Sequence, residues 1–275
     1  MQDVLFTPSG VRLRQHSQRP GALHWLLLPG GPGIGSESLD ELAAALRVPG
    51  TIWLVDLPGD GSNRTAPGMA SDPFTAWPQV LIEAADAVPN PVYVGHSTGG
   101  MYLLATPKLA SRVLGLALLD TAPDAAWHAE FVAMTQRDPL PEVERATAIY
   151  EQDPRDENIA AIAVASAAWN FTPPGLAAGR ELLARMPYNS AAVAWSDAHF
   201  DHIYKAVWWP DAIPVLVLAG ADDRIVWQGG WHESRFHTPN ALFRRISDGG
   251  HFPWIENPAA VSAAFDELAG RIPAP

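Results

Sequence analysis

The sequence predicts an α/β protein built on a mostly parallel sheet with helices on both faces. Two observations carry that prediction. Five short apolar runs, at 24–28, 51–55, 91–94, 114–119 and 214–218, are bounded by Gly, Pro or Asp and lack regular polar alternation, as expected of parallel strands buried on both sides. Helical spacing fills the intervals between them, so strand and helix alternate along the chain. With 275 residues and a 48% hydrophobic share, there is enough apolar surface for one large core that carries an insertion.

The elements follow in order. Residues 4–6 and 11–15, separated by Pro8-Ser9-Gly10, read as an antiparallel hairpin at the start of the sheet. Leu39, Leu42, Ala43 and Leu46 share one helical face, and Ser38 with Glu41 has the spacing of a capping box. From 122 to 212 the strand rhythm stops. Helical patterns at 144–150 and 159–169 are interrupted by Pro139, Pro141, Pro154 and Pro173-Pro174, which predicts a helical cap or lid (122–212) inserted after the sixth strand. The core domain is then 1–121 together with 213–275. Residues 241–246 read as the last strand. Asn257-Pro258 places an N-cap and a first-position proline ahead of a helix that buries Val261, Phe265 and Leu268.

Composition removes several functions. A formal charge of −12, from 18 basic and 30 acidic residues, offers no basic stripe for a nucleic-acid backbone. The absence of cysteine excludes disulfides, thiolate metal sites and cysteine nucleophiles. No apolar run reaches the roughly 18 residues of a membrane span, and the first 20 residues, with Asp3 and several arginines, lack a signal-peptide pattern. The expectation is a cytoplasmic protein acting on a small molecule, with no membrane or nucleic-acid partner; oligomeric state is left open. Between 122 and 212 lie 13 acidic and 6 basic side chains, read as a solvated helical face or as an acidic vestibule that favours amines.

The chemistry-bearing residues arrive in the order serine, acid, histidine. Gly95-His96-Ser97-Thr98-Gly99 follows an apolar strand and precedes a helical run, the context in which a tight turn leaves a serine exposed at its tip. A serine hydroxyl needs a base beside it and an acid behind that base. His251, on the glycine-freed loop 247–254, is the candidate base. Asp223 is favoured over its neighbour Asp222 as the acid, and Asp120, at the end of the 114–119 strand, is a further rival. Pro29-Gly30-Gly31-Pro32-Gly33 follows the 24–28 strand, so the Gly31 N–H together with that of Thr98 is the candidate oxyanion hole. No Lys-Ser/Thr follows these glycines, which argues against a phosphate loop. Pro107 should kink or shorten the helix after the serine. Trp127, Trp169, Trp195, Trp208 and Trp209, with Tyr204, are candidates to line an apolar pocket. His199, His202, Asp197 and Asp201 read as a solvated helix face, and no metal site is expected.

Taken together, Gly30-Gly31-Pro32-Gly33, Asp56-Leu57-Pro58-Gly59-Asp60-Gly61-Ser62, Gly95-His96-Ser97-Thr98-Gly99-Gly100, Gly220-Ala221-Asp222-Asp223 and Gly250-His251-Phe252-Pro253-Trp254 resemble the α/β-hydrolase superfamily. The glycine-proline loop and the His-Phe-Pro-Trp tail resemble its proline iminopeptidase branch. The resemblance covers 20–121 and 212–272 but not the cap. It implies an eight-stranded sheet, no cofactor, and Asp223 as the acid. The chain departs from that branch at Pro29, where histidine is usual, and at Thr98, where tryptophan is usual. A serine at the elbow excludes the carboxylate-nucleophile chemistry of haloalkane dehalogenases and epoxide hydrolases. The function expected first is a serine hydrolase of a small, fairly apolar ester, lactone or thioester. Alternatives are an iminopeptidase-like aminopeptidase, a cofactor-free haloperoxidase or oxygenase, and a ligand-binding protein on the same scaffold.

Overall fold

A computed structural model describes residues 3–274. Eight strands, β1 (Val4–Phe6), β2 (Arg12–Gln18), β3 (His24–Leu28), β4 (Thr51–Asp56), β5 (Pro91–His96), β6 (Gly115–Leu119), β7 (Val215–Gly220) and β8 (Ala241–Ile246), form one sheet in the order β1-β2-β4-β3-β5-β6-β7-β8. The expected hairpin is present, with Leu5 opposite Leu13, and β2 also runs antiparallel to β4; every other pairing is parallel. All residues of β4, β5, β6 and β7 are buried, which explains their largely apolar sequence, with Thr51, Asp56 and His96 only at strand ends. The edge strand β8 instead mixes buried and half-exposed positions.

Three helices, α1 (Asp40–Ala45), α2 (Trp77–Asp86) and α3 (Thr98–Leu104), lie between the strands up to β6. Six more, α4 (Ala126–Arg137), α5 (Pro141–Gln152), α6 (Asp156–Ala165), α7 (Ala167–Asn170), α8 (Leu176–Ala184) and α9 (Ser190–His199), stand between β6 and β7, and α10 (Pro253–Glu256) and α11 (Pro258–Arg271) follow β8. Strand geometry sends successive side chains to opposite faces, and here each face has its own core. Leu26, Leu28, Leu116 and Leu118 pack with Trp77, Leu81, Met101 and Leu103. Trp25, Leu27, Ala117 and Leu119 pack with Leu39, Leu42, Phe265 and Leu268. Each large apolar side chain so buried contributes roughly 1.5–3 kcal/mol.

The helix ends show where local signals hold. Asn257 accepts the Ala260 N–H at 3.3 Å and caps α11, with Pro258 in its first turn. The expected Ser38–Glu41 capping box does not form. The chain enters α1 through a 3₁₀ turn at Ser36–Leu39, and the Ser38 hydroxyl donates back to the Gly35 carbonyl at 2.8 Å. A residue inside a tight turn is already committed to that turn and cannot serve as the cap. As Pro107 predicts, α3 stops at Leu104 and a 3₁₀ turn, Pro107–Ser111, takes over. Among the described residues, no helix is long and apolar enough to cross a membrane.

Candidate active site

The loops at the carboxyl ends of β3, β5, β7 and β8 carry the chemistry. At the end of β5 the chain turns sharply: Ser97 has φ 50° and ψ −125°, a conformation that costs a non-glycine residue on the order of 1–3 kcal/mol and must be held from outside. The holding bonds are the Ser97 N–H to the Leu119 carbonyl at 2.8 Å and the Gly100 and Met101 N–H groups to the Ser97 carbonyl at 3.0 and 3.3 Å. The flanking glycines have steric reasons. A Cβ on Gly95 would lie 2.6 Å from the Gly100 Cα, and one on Gly99 2.3 Å from the Pro29 carbonyl oxygen. The elbow therefore presses directly on the glycine-proline loop after β3.

That loop is anchored at several points. Gly30 leaves no room for a side chain, since a Cβ would stand 2.6 Å from the Ser97 Cβ. The Gly31 carbonyl accepts the Thr98 hydroxyl at 3.1 Å, and Gly31 itself has φ 108°, a glycine conformation. The Gly33 N–H donates to the buried Asp60 carboxyl at 2.8 Å. Burial, with the charge of Asp56 adding to it, pushes Asp60 up to about 7. The Thr98 N–H opens α3 and so has no partner within the helix.

On the far side of the elbow, His251 is buried and its Nδ1 lies 3.2 Å from Asp223 Oδ1. The same oxygen accepts the Ile225 and Val226 N–H groups at 2.9 and 3.2 Å, while Gln228 Nε2 donates to Oδ2 at 3.4 Å. Of the three carboxylates weighed from sequence, Asp223 makes this contact and Asp222 is exposed. Asp120 is fully buried and close by: ligand-type atoms of Asp120, Asp223 and His251 all lie within 4.8 Å of one another.

Sequence reasoning missed several supports. His96 is buried, its Nε2 lies 3.0 Å from the His251 carbonyl oxygen, and its ring sits 4.7 Å from that of His251. Burial, helped by the neighbouring His251, holds it well below the ordinary histidine range, so it is a neutral spacer. Glu256 bonds the Gly250 N–H at 2.6 Å with one oxygen and the Thr172 N–H and hydroxyl at 2.7 and 2.6 Å with the other. The His251 N–H donates to the Asn170 carbonyl at 2.8 Å. Glu256 stands five residues after His251, but nothing local shows that its Thr172 partner comes from another segment.

The candidate tryptophans divide into separate groups. Trp127 and Trp169 both contact Phe131. Trp195 meets Trp77 edge-on and Phe74 at a tilt. Trp209 joins Trp231 and Phe236, with its indole N–H on Thr238, and Trp208 donates to the Leu103 carbonyl at 2.8 Å. Trp208 and Trp209 are thus engaged in packing, with their indole N–H groups paired. The His-Asp group expected on a solvated face also divides. His202 pairs with Asp197 at 3.0 Å, whereas Asp201 turns inward to the Ser196 hydroxyl at 2.9 Å, and burial pushes it up to about 6.

A strand–turn–helix serine elbow on an eight-stranded sheet, with histidine and aspartate on the loops after β8 and β7, defines the class. Residues 25–264 match the profile of the alpha/beta hydrolase family, and the chain belongs to that family. It is similar to a pimeloyl-[acyl-carrier protein] methyl ester esterase from Xanthomonas oryzae pv. oryzae, 29% identical over 81% of this chain and 85% of the relative. A protein of the same name from Xylella fastidiosa is 25% identical over 90% of this chain and 96% of the relative. Among solved structures, a proline iminopeptidase-related protein from Thermus thermophilus superposes with a TM-score of 0.73 at 22% identity, covering 100% of both chains. A thermophilic esterase from Thermogutta terrifontis gives 0.65 at 21%, covering 99% of each. The likeness to these solved structures is one of fold.

Proposed function

We propose that the chain is a cytoplasmic serine esterase that hydrolyses a small, fairly apolar ester, lactone or thioester. Ser97 Oγ attacks the carbonyl carbon while His251 removes the hydroxyl proton, and the carbonyl π electrons move onto oxygen. The Gly31 and Thr98 N–H groups hold that oxyanion, an interaction that typically contributes about 2.7–4 kcal/mol per donor. Collapse expels the alcohol or thiol, protonated by His251, and leaves an acyl-Ser97. Water, deprotonated by His251, then releases the acid and restores the hydroxyl. Asp223 fixes the histidine tautomer with its proton on Nδ1 and stabilises the cation that forms.

The observation that carries this reading is the left-handed Ser97 turn, at the same sheet edge as the His251–Asp223 contact. The names of the curated relatives support ester chemistry. Those names describe an ester borne on a carrier protein. Methyl esters therefore belong in the panel beside the other esters, lactones and thioesters.

The test is turnover of a panel of methyl and aryl esters, lactones, thioesters and free-amine aminoacyl amides by wild type and by Ser97→Ala. Ester or lactone turnover should fall by about 10³-fold or more in the variant. Activity retained within about tenfold would overturn the mechanism. Preference for the aminoacyl amides would assign the site to an aminopeptidase instead.

A further inference from the structure

Asp120 has no part in the mechanism above, yet it is the most unusual carboxyl group in the molecule. It ends β6 with φ 46° and a fully buried side chain. Its Oδ1 accepts the Gly220 N–H at 2.8 Å, which ties the end of β6 to the end of β7. Its Oδ2 is buried and has no hydrogen-bond partner. The neighbouring groups are themselves acceptors or poorly suited donors: the Asp223 carboxylate, the His251 ring already directed to Asp223, and more distantly Glu256.

Two ionised carboxylates at this range in a site closed to water repel strongly, whereas one proton between them turns the repulsion into a hydrogen bond. The donors decide which group keeps its charge. Asp223 receives N–H groups from Ile225, Val226, Gln228 and His251, while Asp120 receives only that of Gly220. A carboxylate rich in donors holds its negative charge, and one poor in donors gives way. A proton on Asp120 Oδ2 also satisfies this buried oxygen, which unpaired costs about 1–3 kcal/mol or more.

We propose that Asp120 is a positioning residue, protonated at neutral pH, that donates a hydrogen bond from Oδ2 to the Asp223 carboxylate, so that Asp120, Asp223 and His251 form a chain with a single negative charge. The shift of Asp120 well above the ordinary carboxyl range follows from burial first and the charge of Asp223 second, with Glu256 adding to it and the Gly220 N–H opposing it. The proposal rests on the reading of Asp223 and His251 as acid and base. Its function is to hold Asp223 in line without adding a second charge behind His251.

The experiment compares wild type, Asp120→Asn and Asp120→Leu in the full chain. An asparagine supplies the same acceptor to Gly220 and an N–H toward Asp223, at the same net charge as a protonated aspartic acid. Asp120→Asn should therefore keep kcat/KM within about tenfold, with the acid limb of the pH–rate profile moved by less than about half a unit. Asp120→Leu, which removes the donor and keeps the branching at Cγ with larger methyl groups, should lower kcat at least about fivefold. An infrared difference spectrum, wild type minus Asp120→Asn at pH 7, should show a protonated-carboxyl C=O band. Loss beyond tenfold or a larger shift of the acid limb in Asp120→Asn would overturn the proposal, as would an unimpaired Asp120→Leu or a missing infrared band. If Asp120→Leu does not fold, the asparagine variant and the infrared band decide. The band reads the proton whether or not any ester is turned over, so failure of the hydrolase reading, reported by Ser97→Ala, is distinguishable from failure of this one.

Discussion

The sheet edge and the helical segment between β6 and β7 meet at one site but are built on different principles. Strands β4 to β7 bury every residue, and the elbow, the glycine-proline loop and the acid loop each sit at the end of a strand fixed in register; Gly95, for instance, stands opposite both Leu28 and Leu118. Helices α5 and α6 bury no residue fully, and α4 buries Met134 alone. The second half of the segment joins the sheet's core through Phe171, Leu182, Leu183 and Met186, and polar bonds add to that near the site. Arg224 reaches Asp138 at 2.8 Å, Glu256 holds Thr172, Asn170 accepts the His251 N–H, and the Asn189 N–H donates to the Gly33 carbonyl at 2.8 Å. Reacting groups need fixed geometry, and close packing supplies it. The proposed cap would contribute shape and charge, and looser attachment of α4 to α6 suffices for that.

That contrast can be tested by substitution. Leu118 lies in β6 with no exposure, and Leu118→Ala should cost about 2–5 kcal/mol, read as a fall in denaturation midpoint and Tm. A loss below about 1 kcal/mol would mean that the sheet is no more rigid than its covering. The next effect lies at the junction. Asp60, raised from 3.8 to about 7 in the fold, binds a proton that the unfolded chain has lost over that window, so its share of stability declines as pH rises from about 4 to about 7. Asp60→Asn should remove that slope. Its Tm relative to wild type should therefore climb with pH across the window, by an amount equivalent to about 4 kcal/mol at most. A difference that stays flat with pH would place the Asp60 carboxyl in contact with solvent. Ile149, on α5 and 56% exposed, gives the smallest effect. Ile149→Ala should change stability by no more than about 0.5 kcal/mol, and a larger loss in thermal melts would show that α5 shares the core's cooperativity.

The legibility of the sequence follows the same division. The inner strands β3 to β7 were readable because burial on two faces leaves a largely apolar run, β1 and β2 were readable from the turn residues Pro8-Ser9-Gly10 between them, and the elbow was readable because the turn demands glycines at fixed offsets. The N-cap Asn257 was visible for the same local reason. The Ser38–Glu41 pattern failed because its hydroxyl bonds inside a 3₁₀ turn that periodicity does not reveal. The tryptophans were visible only as a concentration along the chain. Their division among Phe131, Trp77 and Trp231 depends on which helix lies over which strand.

Local sequence by itself determined the strand rhythm, the need for glycine around Ser97 and the chain order of serine, acid and histidine, since each is written in residue type and spacing along the chain. Only the tertiary structure decided that Asp223 rather than Asp222 meets His251, that Glu256 joins the histidine loop to Thr172, and that Asp120 is enclosed beside Asp223 with one oxygen unpaired. These are contacts between residues some 28 to 103 positions apart in the chain. Charge, burial and donor count at such a site are sums over neighbours that folding brings together, and no local pattern encodes them.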